Sequence, residues 1–225
     1  MAYLRTVAIV LWKDARSEFR TREMLGSMLI FSLLVVVIFS FALDPTRKEM
    51  LRLFPGLLWV TFFFSGLLGL NRSFLKERHD ESIQGLMLCP VDRSALFFGK
   101  FLGNLLFMGV VEAVTLPVFL VFFDFPYRGS VPGLALALIL GTVGFSAVGT
   151  LLAAMSANTR SSEVLLPVLL FPVAVPVVIG SVQLTAALVA GEPVGIGSTW
   201  VKLLAVYDLV FLVTPLLLFE YLLEA

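Results

Sequence analysis

The chain has 225 residues, of which 59% are hydrophobic and only 14% are charged, and its mean hydropathy is +1.00. This composition excludes a soluble globular protein, because the polar residues are too few to cover a core of this size, and it predicts a polytopic helical membrane protein. The sixteen basic and sixteen acidic residues cancel, so the net charge points to no particular partner, and we expect no nucleic acid among the partners.

The N-terminal segment, residues 1–23, is too polar for the apolar region of a cleavable signal. As a helix it is amphipathic. Lys13, Arg16 and Arg20 fall on the face opposite an apolar stripe, which consists of Leu4, Ala8, Leu11, Ala15 and Phe19. We therefore predict a helix that lies in the inner membrane interface with its basic side toward anionic lipid, a position that is also compatible with contact to a partner.

Six apolar runs follow, each near the ~20 residues that a helix needs to cross a ~30 Å hydrocarbon core. The predicted spans are residues 24–43, 53–70, 101–123, 133–155, 164–190 and 203–219. The fifth is over-long and contains Pro167, Pro172 and Pro176, which should kink it or split it, and we favour two half-helices. The sequence thus predicts an all-α fold with one transmembrane domain, residues 1–225.

The basic residues predict the orientation of these spans. Eleven of the sixteen lie in the N-terminal segment and in the loops 71–100 and 156–163. The other side holds five, among them Arg47, Lys48 and Arg52. Because cytoplasmic loops are enriched in Lys and Arg, we predict that both termini and the 71–100 loop are cytoplasmic. The lone Cys89 lies in that loop and is expected to stay reduced.

Three acidic residues lie in or near the apolar runs, where an ionisable group is costly and commonly functional. Glu112 is in the middle of the third span, and a hydroxyl partner, a subunit contact and a substrate path are all open for it. Glu163 is expected at the mouth of the fifth span, where the first helical turn favours an acid. Asp208 lies a short way inside the sixth span, within reach of water or of Lys202.

Small residues give the fourth span a surface that permits close helix packing. They are Gly141, Gly144, Ser146, Ala147 and Gly149. Packing within the chain is the favoured role of this surface, and a dimer seam is the alternative.

Residues 75–95 form the most unusual segment, since they combine charge with an apolar run between two spans. Glu77, Asp80 and Glu81 precede the run, Pro90 breaks it, and Arg93 and Lys100 follow. An ordinary solvated loop would not expose the apolar residues Leu86, Met87 and Leu88. We predict a cytosolic coupling helix near residues 81–89 that docks on a soluble motor subunit.

Enzymatic chemistry finds no support in the sequence. His79 is the single histidine, there is no cysteine pair, and the motifs of zinc proteases, nucleophile elbows and P-loop ATPases are missing. We therefore expect no catalytic, cofactor-binding or metal-binding residues on this chain, and His79 is interpreted as a solvated loop residue.

Several motifs, in order along the chain, resemble those of the membrane permease subunit of the cytochrome c maturation ABC transporter, the haem exporter protein B family. They are Pro55-Gly56-Leu57-Leu58-Trp59, Asn71-Arg72-x-Phe74, Glu77, Asp80, Leu86-Met87-Leu88-x-Pro90, Arg93, Gly99-Lys100, Leu165-Leu166-Pro167, Phe171-Pro172 and Pro176. The likeness extends almost from end to end. The acidic–apolar–Pro–Arg–Gly-Lys pattern is shared more widely with exporter permeases that pair with a separate ATPase.

The resemblance implies an inner-membrane assembly of several subunits. Its members would be a cytosolic ATPase dimer that binds ATP and Mg²⁺, two copies of this permease, a haem-handling membrane subunit, a small single-span subunit and a periplasmic haem chaperone. It also implies the ATPase-coupling residues, which are Glu77, Asp80, Glu81, Gln84, Gly85, Leu86, Leu88, Pro90, Arg93 and Lys100. Leu86 and Leu88 would be buried in the ATPase. Gln84 departs from the glutamate common in the family, which puts an ion pair there in doubt.

Two other functions remain compatible with the sequence. The first is the permease of an ABC exporter for a lipid, a glycan or a drug. The second is a stand-alone, ion-coupled transporter that uses Glu112 and Asp208, although the missing internal repeat and the dedicated coupling segment argue against it.

Overall fold

The computed structural model describes residues 2–43, 47–79, 93–125, 127, 129–156, 162–192, 194–195 and 197–222, without the side chains of 2, 47–48, 74–79, 93, 162–163 and 218–222. Over these residues the chain forms seven helices. They are α1 (Ala2–Thr21), α2 (Glu23–Ala42), α3 (Arg47–His79), α4 (Arg93–Phe122), α5 (Val131–Ser156), α6 (Ser162–Val189) and α7 (Thr199–Leu222).

The helices α2 to α7 are each long and apolar enough to cross a membrane. They match the six predicted spans in order, and α1 matches the predicted N-terminal helix, so the all-α polytopic fold is confirmed. Many of their outward side chains are large and apolar, for example Ile30, Phe41, Val121, Val164 and Leu217. Such a surface suits lipid, and a helix satisfies its own backbone hydrogen bonds there.

The boundaries of α3 and α4 differ from the predicted ones. The prediction began the second span at residue 53 and left 71–100 as a loop, whereas α3 extends from Arg47 to His79 and α4 begins at Arg93. Contacts from distant parts of the chain explain the extra turns. Met50 is buried at the start of α3, and Ala95 and Phe97 are buried at the start of α4.

The proline-rich span α6 is one helix, so the expectation of two half-helices was wrong. Pro167, Pro172 and Pro176 all lie inside it. Pro176 has no N–H, which leaves the carbonyl of Pro172 without its helical donor and weakens that turn. The hydroxyl of Tyr207, on α7, donates to the carbonyl oxygen of Val173 in the same turn, at 2.9 Å. A neighbouring helix thereby supports the weakened segment, as is common in membrane helices.

The central helix is α5, which contacts α3, α4, α6 and α7. Its glycines permit these contacts. A Cβ on Gly141 would lie 2.3 Å from the Trp59 ring, and a Cβ on Gly149 would lie 2.3 Å from Leu70. The small-residue surface therefore packs within the chain, as the favoured interpretation predicted.

One end of the bundle brings together α1, the start of α2, the end of α3 and the start of α4. Tyr3 and Ser94 contact each other through their hydroxyls at 3.3 Å, and Arg72 donates to the carbonyl oxygen of Glu23 at 3.5 Å. The segment predicted to couple to a motor subunit connects α3 and α4 at this end.

Candidate functional site

The candidate coupling site lies between the end of α3 and the start of α4. The apolar part of α3 ends at Ser73, but the helix continues to His79, and α4 begins at Arg93. Glu77 is thus in the last turns of α3 and Arg93 is the first residue of α4. The other predicted residues of the segment lie outside the described part of the chain: Asp80, Glu81, Gln84, Gly85, Leu86, Leu88 and Pro90. Their role stays a prediction.

Lys100 occupies a different place from the one expected of a docking residue. Its Nζ lies 2.7 Å from Oδ2 of Asp14 on α1, and its side chain is only 10% exposed. We predicted Lys100 as part of the surface that meets the ATPase. The structure instead buries it between α1 and α4, because α1 folds back over the start of α4.

Close packing accompanies this ion pair. A Cβ on Gly99 would lie 2.6 Å from the Cβ of Val10 and 3.3 Å from the carbonyl oxygen of Val7. Only glycine permits α1 and α4 to approach this closely without displacement of one of them. Gly99 therefore allows α4 to pack closely on α1, and Lys100 adds an ion pair between the two helices.

A sharp turn connects α1 to the first membrane span. Arg22, which follows α1, has a φ of 55°, and α2 begins at the next residue. Oε1 of Glu18, which is buried, accepts the backbone N–H of Leu25 at 2.8 Å. A carboxylate at this place satisfies one of the unpaired N–H groups in the first turn of α2 and opposes the positive end of the helix dipole.

Glu112 has a hydroxyl partner in the middle of the bundle. Its Oε1 accepts a hydrogen bond from the hydroxyl of Thr142 on α5 at 2.5 Å, and both residues are buried. Of the three open roles for Glu112, the structure supports the hydroxyl partner. This partner lies 30 positions away in the sequence, and the sequence offered no signal that selects Thr142.

Asp208 is buried where α7 meets α5. Its Oδ1 accepts no hydrogen bond from any described residue. A Cβ on Gly144 would lie only 2.5 Å from this oxygen, so the glycine is what makes room for the carboxyl. Asp208 is only 6% exposed, whereas Lys202, which the sequence placed within its reach, is exposed.

Glu163 is the second residue of α6. Glu163 therefore lies in the first turn of the helix, as the sequence predicted. Its role as a capping acid stays a prediction.

Three other buried polar pairs were missed by the sequence analysis. Thr115 and Ser32 join α4 to α2 at 2.9 Å, Trp59 donates to Thr185 at 2.9 Å, and Asn104 donates to Thr150 at 2.9 Å. Each satisfies polar groups that would otherwise be costly in an apolar interior. An isolated Ser, Thr or Asn in an apolar run was the available signal, but it does not identify the partner.

No three His, Cys, Asp or Glu side chains in the described part of the chain lie close enough together to bind a metal ion. One small cavity between α2, α3, α4 and α5 is lined by Met28, Met108, Asn104 and Ser146, among others, and has a volume of ≈ 10 Å³. It has room for about one water molecule.

Comparison with known proteins gives the family. The family model described as CcmB protein matches residues 5–219. The chain belongs to the CcmB family. Its relatives include the heme exporter protein B of Pseudomonas aeruginosa, which is 32% identical over 80% of this chain and 81% of the relative. Those of Rhodobacter capsulatus and Paracoccus denitrificans are 30% and 32% identical, over 78% and 76% of this chain and 80% and 78% of the relatives.

The match to the CcmB family extends from Arg5 in α1 to Phe219 in α7 and includes the ends of α3 and α4. It confirms the resemblance found in the sequence. As a member of the CcmB family, the chain is a membrane component of a transport system and is not expected to carry a catalytic site.

Proposed function

We propose that this chain is the membrane subunit of the ABC transporter that serves haem export in cytochrome c maturation. The observation that carries the proposal is the CcmB match over residues 5–219, with relatives named heme exporter protein B. The six membrane-spanning helices agree with a permease subunit. Haem in this proposal is the cargo of the system and belongs to a partner subunit.

ATP hydrolysis would be supplied by another chain, because this sequence has no P-loop. The proposed assembly pairs two copies of this permease with a dimer of a cytosolic ATPase. A haem-handling membrane subunit, a small single-span subunit and a periplasmic haem chaperone would complete it. In the bacterial inner membrane, the basic residues favour cytoplasmic termini, and the end that holds α1 and the α3–α4 connection would then face the ATPase.

Coupling would proceed through the helices that flank residues 80–92. The apolar residues Leu86 and Leu88 would sit in a groove of the ATPase, and closure of the ATP-bound dimer would move the ends of α3 and α4. Two contacts would carry this movement from α4 to neighbouring helices. Lys100 ties α4 to α1 through Asp14, and Glu112 ties α4 to the central helix α5 through Thr142.

The residues favour an indirect role in haem handling. The single histidine, His79, is at the end of α3 on the coupling side, so this chain offers no histidine ligand for haem at the opposite end. We infer that the permease transmits force from the ATPase to the subunit that holds haem.

A purification from native membranes tests the proposal. The tagged chain is extracted in mild detergent, its stoichiometric partners are identified by mass spectrometry, and the haem absorbance is recorded, with an unrelated tagged membrane protein as control. A cytosolic ATPase together with a haem-bearing membrane subunit is expected. An ATPase without haem proteins would indicate a different cargo, and the absence of any ATPase would refute the proposal.

A further inference from the structure

The exposed surface of α1 is cationic beyond what its sequence implies. Both acidic residues of this helix face the protein, since Asp14 pairs with Lys100 and Glu18 caps α2. The four basic residues of α1 and the one that follows it are all exposed; they are Arg5, Lys13, Arg16, Arg20 and Arg22. Among the side chains that the structure describes, Glu23 at the start of α2 is the exposed acid near this helix. The fold thus directs the acidic side chains of α1 toward the protein and leaves its basic side chains exposed.

A second outward face of α1 is apolar. Leu4, Ala8, Trp12 and Phe19 follow the spacing that places residues on one side of a helix. The exposed fractions are 73% for Leu4, 68% for Trp12 and 62% for Phe19. These side chains are separate from the face that packs on α4, which carries Val7 and Val10. The helix therefore has three faces, of which one meets the protein, one is apolar and one is basic.

The position of α1 brings these two outward faces to the end of the bundle at which the apolar spans α2 and α4 begin, and we take this end as the level of the membrane surface. It packs along the first turns of α4, from Ser94 to Gly103, and it ends at the turn that starts the α2 span. A helix with an apolar face and an adjacent basic face at this level fits the boundary between acyl chains and headgroups.

We infer that α1 is a binding element for anionic phospholipid, with Trp12 and Phe19 among the acyl chains and Arg16 and Arg20 at the headgroup phosphates. The charge complementarity selects anionic over zwitterionic headgroups, because basic residues near an anionic surface are attracted to it. The contacts from Asp14 to Lys100 and from Val10 to Gly99 would hold α1 against the start of α4, and the bound lipid would lie beside it.

Trp12 provides a direct reporter of the lipid that contacts α1. The other two tryptophans are Trp59, which is fully buried, and Trp200 at the other end of the bundle. In a Trp200→Phe background, the whole purified chain is placed in phosphatidylcholine vesicles with equal mole fractions of brominated phosphatidylglycerol or brominated phosphatidylcholine. The further change Trp12→Phe gives the residual signal of Trp59, which is subtracted.

The expected result is that brominated phosphatidylglycerol quenches Trp12 more strongly than brominated phosphatidylcholine does. The ratio of quenching by brominated phosphatidylglycerol to quenching by brominated phosphatidylcholine should fall at least about twofold in Arg16→Gln/Arg20→Gln, given the attraction of each cation to an anionic surface. It should also fall at 1 M salt, where the Debye length is about 3 Å. The matched control Arg52→Gln/Lys202→Gln removes two exposed charges at the other end and should leave the ratio unchanged.

Three results would overturn the inference. Equal quenching by both lipids, or an unchanged ratio in Arg16→Gln/Arg20→Gln, would mean that α1 does not select anionic headgroups. Quenching by neither lipid would place Trp12 away from the bilayer and would favour a protein partner for this face. All three results concern lipid contact alone, so they leave the haem-exporter proposal untouched.

Discussion

Asp14 on α1 and Lys100 on α4 form an ion pair of 2.7 Å with little exposure of either side chain, 15% for Asp14 and 10% for Lys100. Asp14 has a second cation beside it, since its Oδ1 lies 3.3 Å from Nζ of Lys13. The pair joins the N-terminal helix to the helix that follows the predicted coupling segment. Any force that enters α4 from that segment is therefore shared with α1.

Loss of Lys100 should loosen this junction. In Lys100→Met, Asp14 keeps Lys13 but loses its buried partner, and we expect a loss of about 1.5–3 kcal/mol, the value of a hydrogen bond to a charged group. Thermal unfolding in detergent measures it. Lys202→Met, an exposed position at the start of α7, is the control and should unfold like the wild type. An equally stable Lys100→Met would mean that the pair contributes nothing to packing.

Variants of the Glu112–Thr142 contact distinguish a structural role of Glu112 from a role in transport. Thr142→Val leaves the buried carboxyl of Glu112 without its partner and should cost about 1–3 kcal/mol. Glu112→Gln keeps a group that can bond to Thr142 and should cost less than about 1 kcal/mol. Both are read from thermal unfolding. If Glu112→Gln stays folded but abolishes transport, the acid itself has a function that the hydrogen bond does not explain.

We expect that replacement of Gly144 by a larger residue destabilises the bundle, because the carboxyl of Asp208 occupies the adjacent space. A Cβ at this position would lie 2.5 Å from Oδ1 of Asp208 and 2.9 Å from Val177, so Gly144→Ala should destabilise the bundle by about 1–3 kcal/mol through overpacking.

The control for Gly144→Ala is Gly26→Ala in α2, where a Cβ meets nothing within 4 Å. It should gain about 0.5–1 kcal/mol from the higher helix propensity of alanine. Thermal unfolding of both variants in the same detergent gives the comparison. Equal stability of the two variants would contradict the close approach of α5 and α7.

The number and order of the spans could be predicted from the sequence, because the length and apolarity of a membrane helix are local properties. Contacts between distant residues could not. Lys100 was assigned to the coupling surface because Gly99-Lys100 closes the pattern shared with exporter permeases, but its partner Asp14 lies on α1, far away in the sequence. Thr142 was likewise not foreseen as the partner of Glu112.

In the fifth span, a strong local signal in the sequence predicted a broken helix, and contacts with a neighbouring helix outweighed it. Three prolines predict a broken helix, but α6 is continuous, and the bond from Tyr207 to the Val173 carbonyl supports one of the turns that the prolines weaken. A tertiary contact of this kind leaves no local trace in the sequence. The residues of the coupling segment were chosen from their pattern and from the family resemblance, and their roles stay predictions.

The apolar run of the coupling segment is the part of the proposed function that one substitution tests most directly. Leu86→Asp places a charge where an apolar side chain is expected to be buried in the ATPase, and burial of an unpaired charge is highly unfavourable. We expect the variant to insert normally but to lose the ATPase during purification.

The matched control is Val131→Asp, which makes the same kind of change at the opposite end of the bundle. Val131 is 69% exposed at the first position of α5, where an acid is favoured by the helix dipole, so this variant should retain the ATPase. The ratio of ATPase to permease in the purified complex is the measurement. If Leu86→Asp co-purifies with the ATPase as well as Val131→Asp does, then the run around Leu86 is not the docking element, and the ends of α3 and α4 must be coupled to the motor by other residues.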